Sequence, residues 1–142
     1  MSSEVILLVD DSPDDVFLTV DAFRKAGIHE EIVVATDGVQ ALDLLLPQDG
    51  RAPLRPAIVL LDLNMPRISG LEVLARLRAD PATRRLPVIV MTTSDQDRDI
   101  ASSYDGGANS YVQKPLTPAG FLEAAKTLGQ YWLHINKQPP PG

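Results

Sequence analysis

The 142-residue sequence predicts a doubly wound α/β domain, (βα)5, built on a five-stranded parallel sheet. Short apolar runs of strand length alternate with stretches of helical periodicity, and such alternation implies parallel pairing through right-handed crossovers. Most of the runs are unbroken aliphatic, as expected of strands covered by helices on both faces. Four of them also end on residues with chemistry to offer: Asp10-Asp11, Asp62, Thr92 and Lys114. In a parallel sheet those ends share one edge, where α/β proteins bind their ligands.

The first strand is Val5 to Val9. Ser12 then offers an N-cap with Pro13 at the first helical position, and Val16, Val20 and Phe23 form a stripe that ends near Gly27. Ile32 to Ala35 is the second strand, and Asp37-Gly38 opens a helix that buries Leu42, Leu45 and Leu46. Pro47 to Pro56 reads as a surface loop, long for this fold. The third strand, Ala57 to Leu61, delivers Asp62. Met65-Pro66 and Ser69-Gly70 mark the following loop, and Leu71, Leu74 and Leu77 give the next helix its apolar side. Val88 to Met91 is the fourth strand, followed by a polar helix from about Asp95 to Asp105 with few apolar anchors. Gly106-Gly107 ends that helix and Ala108 to Gln113 is the last strand. Thr117-Pro118 caps a final helix carrying Phe121, Leu122, Ala125, Leu128 and Trp132. Residues 1–136 thus read as one domain and 137–142 as a Pro-rich flexible tail.

The composition narrows the function. A 44% hydrophobic content suits one compact domain. A formal net charge of -6 argues against broad binding to nucleic acid or acidic membranes. Arg76, Arg78, Arg84 and Arg85 form the one basic cluster and read as a solvated face. Cysteine is absent, which removes disulfides, thiol nucleophiles and cysteine metal sites. Asp10 comes too early for a signal peptide, and no apolar run approaches the ~20 residues of a membrane span, so a cytoplasmic location is expected.

Asp10, Asp11 and Asp62, brought close, would repel one another unless a hard cation shared their charge. Oxygen-only donors select Mg2+ or Mn2+. Asp62, at the centre of the sheet, is best placed to act as a carboxylate nucleophile toward a phosphoryl group. Lys114 would pair with phosphoryl charge, and the Thr92 hydroxyl would donate to a phosphoryl oxygen. Taken singly these residues are ordinary caps, turn residues and surface groups. Their joint placement is the specific signal.

The motifs Leu8-Val9-Asp10-Asp11-Ser12, Leu61-Asp62-Leu63-Asn64-Met65-Pro66 with Ser69-Gly70, Pro87-Val88-Ile89-Val90-Met91-Thr92 and Tyr111-Val112-Gln113-Lys114-Pro115 resemble the receiver domain of two-component response regulators. The resemblance covers about residues 4–134. It implies the flavodoxin or CheY-like strand order 2-1-3-4-5, with Asp62 accepting a phosphoryl group from a histidine kinase. It also implies Mg2+ held by Asp10, Asp11, Asp62 and the Asn64 main-chain carbonyl, and phosphoryl contacts from Thr92 and Lys114. The Lys114-Pro115 bond is expected to be cis, aiming the lysine inward. Asn64 and Ser94 match positions that tune phosphoryl lifetime in the family. Asn109-Ser110 and Thr93 depart from its commonest pattern. Asp11-Ser12-Pro13-Asp14-Asp15-Val16, the long loop and Tyr131-Trp132-Leu133 resemble regulators paired with bacterial phytochromes, which implies a light-controlled donor.

Phosphorylating Asp62 would draw Thr92 inward and let Tyr111 rotate from an exposed to a buried rotamer, which remodels the surface of the fourth helix and last strand. Nothing after the fifth helix reads as a DNA-binding or catalytic domain. Output is therefore expected through a partner or through a homodimer on the fourth and fifth helices or the last strand, near Tyr131 and Trp132. His29 and His134 read as surface residues. Two rivals stand beside this reading. A haloacid-dehalogenase-type phosphatase needs a general acid two residues after its nucleophile, where this chain has Asn64. A pseudo-receiver acting as a phosphorylation-independent interaction module usually lacks one of the site residues, all of which are present here.

Overall fold

The computed structural model describes residues 4–140. The order is β1 (Val5–Val9), α1 (Pro13–Lys25), β2 (Glu31–Ala35), α2 (Gly38–Leu45), β3 (Ile58–Leu61), α3 (Gly70–Ala79), β4 (Val88–Thr92), α4 (Asp97–Asp105), β5 (Ser110–Gln113) and α5 (Pro118–Gly129). A wider π-helical segment, Gln130–Ile135, continues α5. The five strands pair in parallel in the order β2-β1-β3-β4-β5. The (βα)5 fold and its strand order are therefore as the sequence implies.

Strand alternation sorts the core into two layers. Leu7, Val9, Val59, Leu61, Val88 and Val90 point to one face and pack with Ala41, Leu42 and Leu45 of α2 and Val73, Leu74 and Leu77 of α3. Ile6, Leu8, Ile58, Leu60, Ile89 and Met91 point to the other and meet Ala22 and Phe23 of α1 and Phe121, Ala125 and Leu128 of α5. Both faces are covered by helices, so β1 and β3 at the centre carry apolar residues at every position, whereas the edge strands β2 and β5 also carry Glu31, Ser110 and Gln113.

Each helix on those faces starts with a side-chain cap just past a strand tip. Ser12 Oγ accepts from the Asp15 N–H at 3.3 Å, Asp37 Oδ1 from Gln40 at 2.8 Å, Ser69 Oγ from Glu72 at 3.3 Å and Thr117 Oγ1 from Gly120 at 3.0 Å. The caps fix where each chain turns back, and so hold the strand ends along one edge. α4 is the exception: it has no side-chain cap, and Ser103 is its one buried residue. Its start at Asp97, later than Asp95, follows from a tight turn in which Ser94 Oγ accepts from the Gln96 N–H.

The long loop before β3 is present and exposed, with Arg51 paired to Asp43 and Asp49 at 2.8 and 2.6 Å. Two readings of the sequence need correction. Leu46 is not part of the buried face of α2; it caps the helix and is half-buried. Arg78 is not solvated like its neighbours Arg76, Arg84 and Arg85. Its half-buried guanidinium donates to the carbonyls of Gly107, Thr83 and Arg84 and to Asn109 Oδ1. It ties the α3–β4 connection to the α4–β5 turn, and Asn109 completes the tie by accepting from the Val88 N–H at 2.9 Å. In the tail, the Gln138 amide donates to the Trp132 carbonyl at 3.0 Å, and residues 138–140 line a cavity of about 130 Å³ with Leu54, Pro56 and Leu86. Residues 141–142 of the expected tail lie outside the described residues. No helix among the described residues is long and apolar enough to cross a membrane.

At Gly70 the helix backs directly onto the tip of β3. A Cβ there would fall 2.2 Å from the Asp62 carbonyl oxygen and 2.8 Å from Leu63 Cα. Both obstacles are backbone, so Gly70→Ala should lower unfolding stability by about 1–3 kcal/mol in urea titrations, whereas Ala75→Gly on the exposed face of the same helix should cost about 1 kcal/mol or less.

Candidate functional site at the carboxyl edge of the sheet

Asp10 leaves β1 with its N–H donating to the Ala35 carbonyl at 3.0 Å, and its Oδ1 accepts from the Ser12 N–H at 3.0 Å. Asp62 leaves β3 with its N–H donating to the Val9 carbonyl at 3.0 Å. Backbone pairing thus carries both carboxylates into the edge as extensions of the sheet. They are 2% and 6% exposed. Asp11, in the turn, is exposed, yet one carboxylate oxygen from each of Asp10, Asp11 and Asp62 lies within 4.8 Å of the others.

Lys114 comes from the far side of the sheet. Its N–H donates to the Thr92 carbonyl at 2.6 Å, which prolongs the β4–β5 ladder by one residue. Its ammonium, 6% exposed as a residue, reaches Asp10 Oδ2 at 2.8 Å, Asp15 Oδ2 at 2.8 Å and Asp62 Oδ2 at 3.2 Å. Among the described residues no peptide bond is cis, so the expected cis Lys114-Pro115 bond is not found. The lysine is aimed inward without it, by the ladder bond at its backbone and three carboxylates at its tip.

Thr92 ends β4 fully buried, and its Oγ1 has no hydrogen-bond partner among the described residues. By strand alternation it shares a face with Val90, whose partner across the ladder is Tyr111. Tyr111 is half-buried rather than exposed, and its hydroxyl donates to the Ser94 carbonyl at 2.8 Å in the β4–α4 connection. Asn64 is exposed two residues beyond Asp62, with its N–H 3.4 Å from Asp62 Oδ1. His29 and His134 are exposed.

Three carboxylates, Asp10, Asp15 and Asp62, surround one ammonium and a fourth, Asp11, lies beside Asp10 and Asp62, so one positive charge faces four acidic groups. Burial pushes the Asp10 carboxyl above its usual range and the Asp62 charge adds to this. The hydrogen bonds from Lys114 and the Ser12 N–H offset only part. For Lys114 burial acts to lower the pKa, but the bonds to Asp10 and Asp15 and the nearby Asp62 charge prevail and hold it above its ordinary value. This donor set fits a hard divalent ion. Oxygens around an octahedral Mg2+ at about 2.1 Å are about 3 Å apart as neighbours and about 4.2 Å when opposite, so three carboxylates already within 4.8 Å need close by little.

Two residues of this edge escaped the sequence reading. Asp15 sits in the first turn of α1, where an acidic residue reads as an ordinary helix-start charge, and no spacing in the sequence sets it apart from Asp14. Arg67, in the loop after Asp62, holds a left-handed φ of 73° and brings its guanidinium 3.4 Å from Asp37 Oδ2. Nothing in a residue type disfavoured in that conformation announces it.

The orphaned hydroxyl of Thr92 gives a direct test. Thr92→Val keeps the shape and removes the buried polar group, so it should raise the unfolding free energy of the unphosphorylated protein by about 1–2 kcal/mol. Calorimetry showing a loss instead would mean that the hydroxyl is already paired.

A family model described as "Response regulator receiver domain" matches residues 6–126. The probable methanogenesis regulatory protein FilR2 of Methanothrix harundinacea is 36% identical over 137 residues, covering 96% of this chain and 88% of that protein. A crystal structure of the phosphorylated cyanobacterial phytochrome response regulator RcpA superposes with a TM-score of 0.88 at 32% identity, covering 98% of this chain and 100% of that one. The Mn2+-bound form of response regulator Rcp1, a protein of Synechocystis, superposes with a TM-score of 0.87 at 33% identity over 96% of this chain and 99% of that chain. With a matching family model, similar relatives along nearly its whole length and an acidic pocket at the expected edge, this chain belongs to the response regulator receiver family.

Proposed function

We propose that this protein is a phosphoacceptor switch in which Asp62 takes a phosphoryl group from the phosphohistidine of a sensor kinase in a Mg2+-dependent reaction. The observation that carries the reading is the convergence from three strand ends of buried Asp62, Asp10 and Lys114 with exposed Asp11 at one charged edge, to which β4 brings Thr92. In the step, an Asp62 carboxylate oxygen bonds to phosphorus as the phosphorus–nitrogen bond breaks, and the donor imidazole leaves with the electron pair. A bound Mg2+, held by Asp10, Asp11, Asp62 and the Asn64 carbonyl, supplies charge neutralisation between the two anionic reactants. Lys114 is already inside the pocket and pairs with a phosphoryl oxygen. The protein acts on its own aspartyl phosphate and is a signalling protein, not a turnover enzyme.

Thr92 carries the signal outward. Its partnerless hydroxyl gains an acceptor when a phosphoryl oxygen arrives, so phosphorylation rewards an inward shift that the unmodified state does not. Tyr111, on the same face, then leaves its bond to the Ser94 carbonyl and turns inward. The segment that responds is weakly anchored, α4 with its single buried residue and no side-chain cap. The remodelled α4–β5–α5 surface would engage a partner or a second copy of this chain, with Tyr104, Tyr131 and Ile135 exposed there.

The donor in this reading is a light-sensing kinase of the bacteriophytochrome type, supported by the likeness to RcpA and by the Asp11–Val16 motif. Phosphotransfer tests it. A purified bacteriophytochrome kinase carrying labelled phosphohistidine should pass its label to the native chain with Mg2+, to an extent set by red or far-red illumination, and should pass none to Asp62→Asn. Transfer only from histidine kinases without a photosensory module would keep the acceptor chemistry and remove the light pairing.

A further inference from the structure

Asp15 is the one carboxylate of the edge that neither the metal nor the phosphoryl group needs, and it makes one of the two shortest contacts to Lys114. Its Oδ2 lies 2.8 Å from the ammonium, equal to Asp10 and closer than Asp62 at 3.2 Å. The pair closes across 99 positions of sequence, from the first turn of α1 to the end of β5. Asp15 also stands apart from the three carboxylates whose oxygens lie within 4.8 Å of one another. Its backbone is fixed independently of its carboxylate: the N–H is bonded by Ser12 Oγ and the carbonyl accepts from Thr19 Oγ1 at 2.8 Å.

A divalent ion among Asp10, Asp11 and Asp62 would draw on two carboxylates that Lys114 now holds, and the two cations set against the same groups repel each other. Metal entry therefore weakens the hold of Asp10 and Asp62 on the ammonium, yet the ammonium must stay in the pocket to meet a phosphoryl group. Asp15 is the acceptor that allows both.

Resting on the metal-dependent reading above, we propose that Asp15 is a positioning residue for Lys114: it retains the ammonium when a divalent cation claims Asp10 and Asp62. Without it, the lysine has only the metal ligands to bind and competes with the ion for them.

The test compares Mg2+ affinity by titration calorimetry in the full-length native chain, Asp15→Asn, Asp15→Glu and Asp14→Asn. Asp14 is exposed, adjacent and of the same charge, so it reports the general electrostatic effect. Asp15→Asn should weaken Mg2+ binding about five- to tenfold, as expected for losing a nearby countercharge. Asp14→Asn should stay within about twofold and Asp15→Glu should recover most of the loss. A purely structural role for Asp15 would leave the lysine untouched, so the Lys114 ammonium resonance in 15N-labelled protein is the second readout. It should survive Mg2+ saturation in the native chain and be lost to solvent exchange in Asp15→Asn. Equal affinities for Asp15→Asn and Asp14→Asn with an unchanged Lys114 resonance would overturn the assignment. A native chain that binds no Mg2+ would overturn the metal reading beneath it, and a thermal melt of each variant separates either result from misfolding.

Discussion

The repulsion among carboxylates at one edge of the sheet governs much of the rest of this structure. Asp10 and Asp62 are nearly buried, Asp11 lies beside them, and a single ammonium, shared with Asp15, answers the cluster through Asp10 and Asp62. Such an arrangement is held against its own electrostatics by the fold. The cost is met by the two apolar layers of the core, where helices pack on both faces of the strands that carry Asp10 and Asp62. A site under that tension responds strongly to added positive charge or to a phosphoryl group, because either changes a balance that is already unfavourable.

The local devices serve that constraint. The capping residues of α1, α2, α3 and α5 start each helix just after a strand tip, and Gly70 lets α3 press against the carbonyl of Asp62. Asp62 is thereby held from behind by backbone. On the other side of the site the anchoring is loose: α4 lacks a side-chain cap and buries only Ser103, and the Tyr111 hydroxyl is tied there by one hydrogen bond to the Ser94 carbonyl. Rigidity around the chemistry and softness around the surface that would report it are both written in residue choice.

Much of this was legible in the sequence for physical reasons. Unbroken aliphatic runs specify strands buried on both faces, and Ser12-Pro13, Asp37-Gly38 and Thr117-Pro118 announced helix starts where the structure has them, whereas Ser69-Gly70, read as part of a loop, is the start of α3. Because parallel strands share an edge, Asp10, Asp11, Asp62, Thr92 and Lys114 could be brought together before any coordinates. What was not legible depends on three-dimensional partners. Arg78 reads as one of four surface arginines until the α4–β5 turn supplies carbonyls for it, and Asp15 reads as a helix-start acid until Lys114 arrives from β5. The cis bond expected at Lys114-Pro115 came from resemblance alone, and the ladder bond to Thr92 aims the lysine without it.

The central claim is that Asp62 forms an acyl phosphate in a metal-dependent step. Intact-protein mass spectrometry after brief incubation with acetyl phosphate tests it most directly, because this small donor needs no kinase partner. The account predicts a gain of one phosphoryl group in the native chain that requires Mg2+ and is absent from Asp62→Asn. No adduct at time points short enough to catch a labile acyl phosphate, or an equal adduct in Asp62→Asn, would contradict it and leave a receiver fold that binds its partners without phosphorylation.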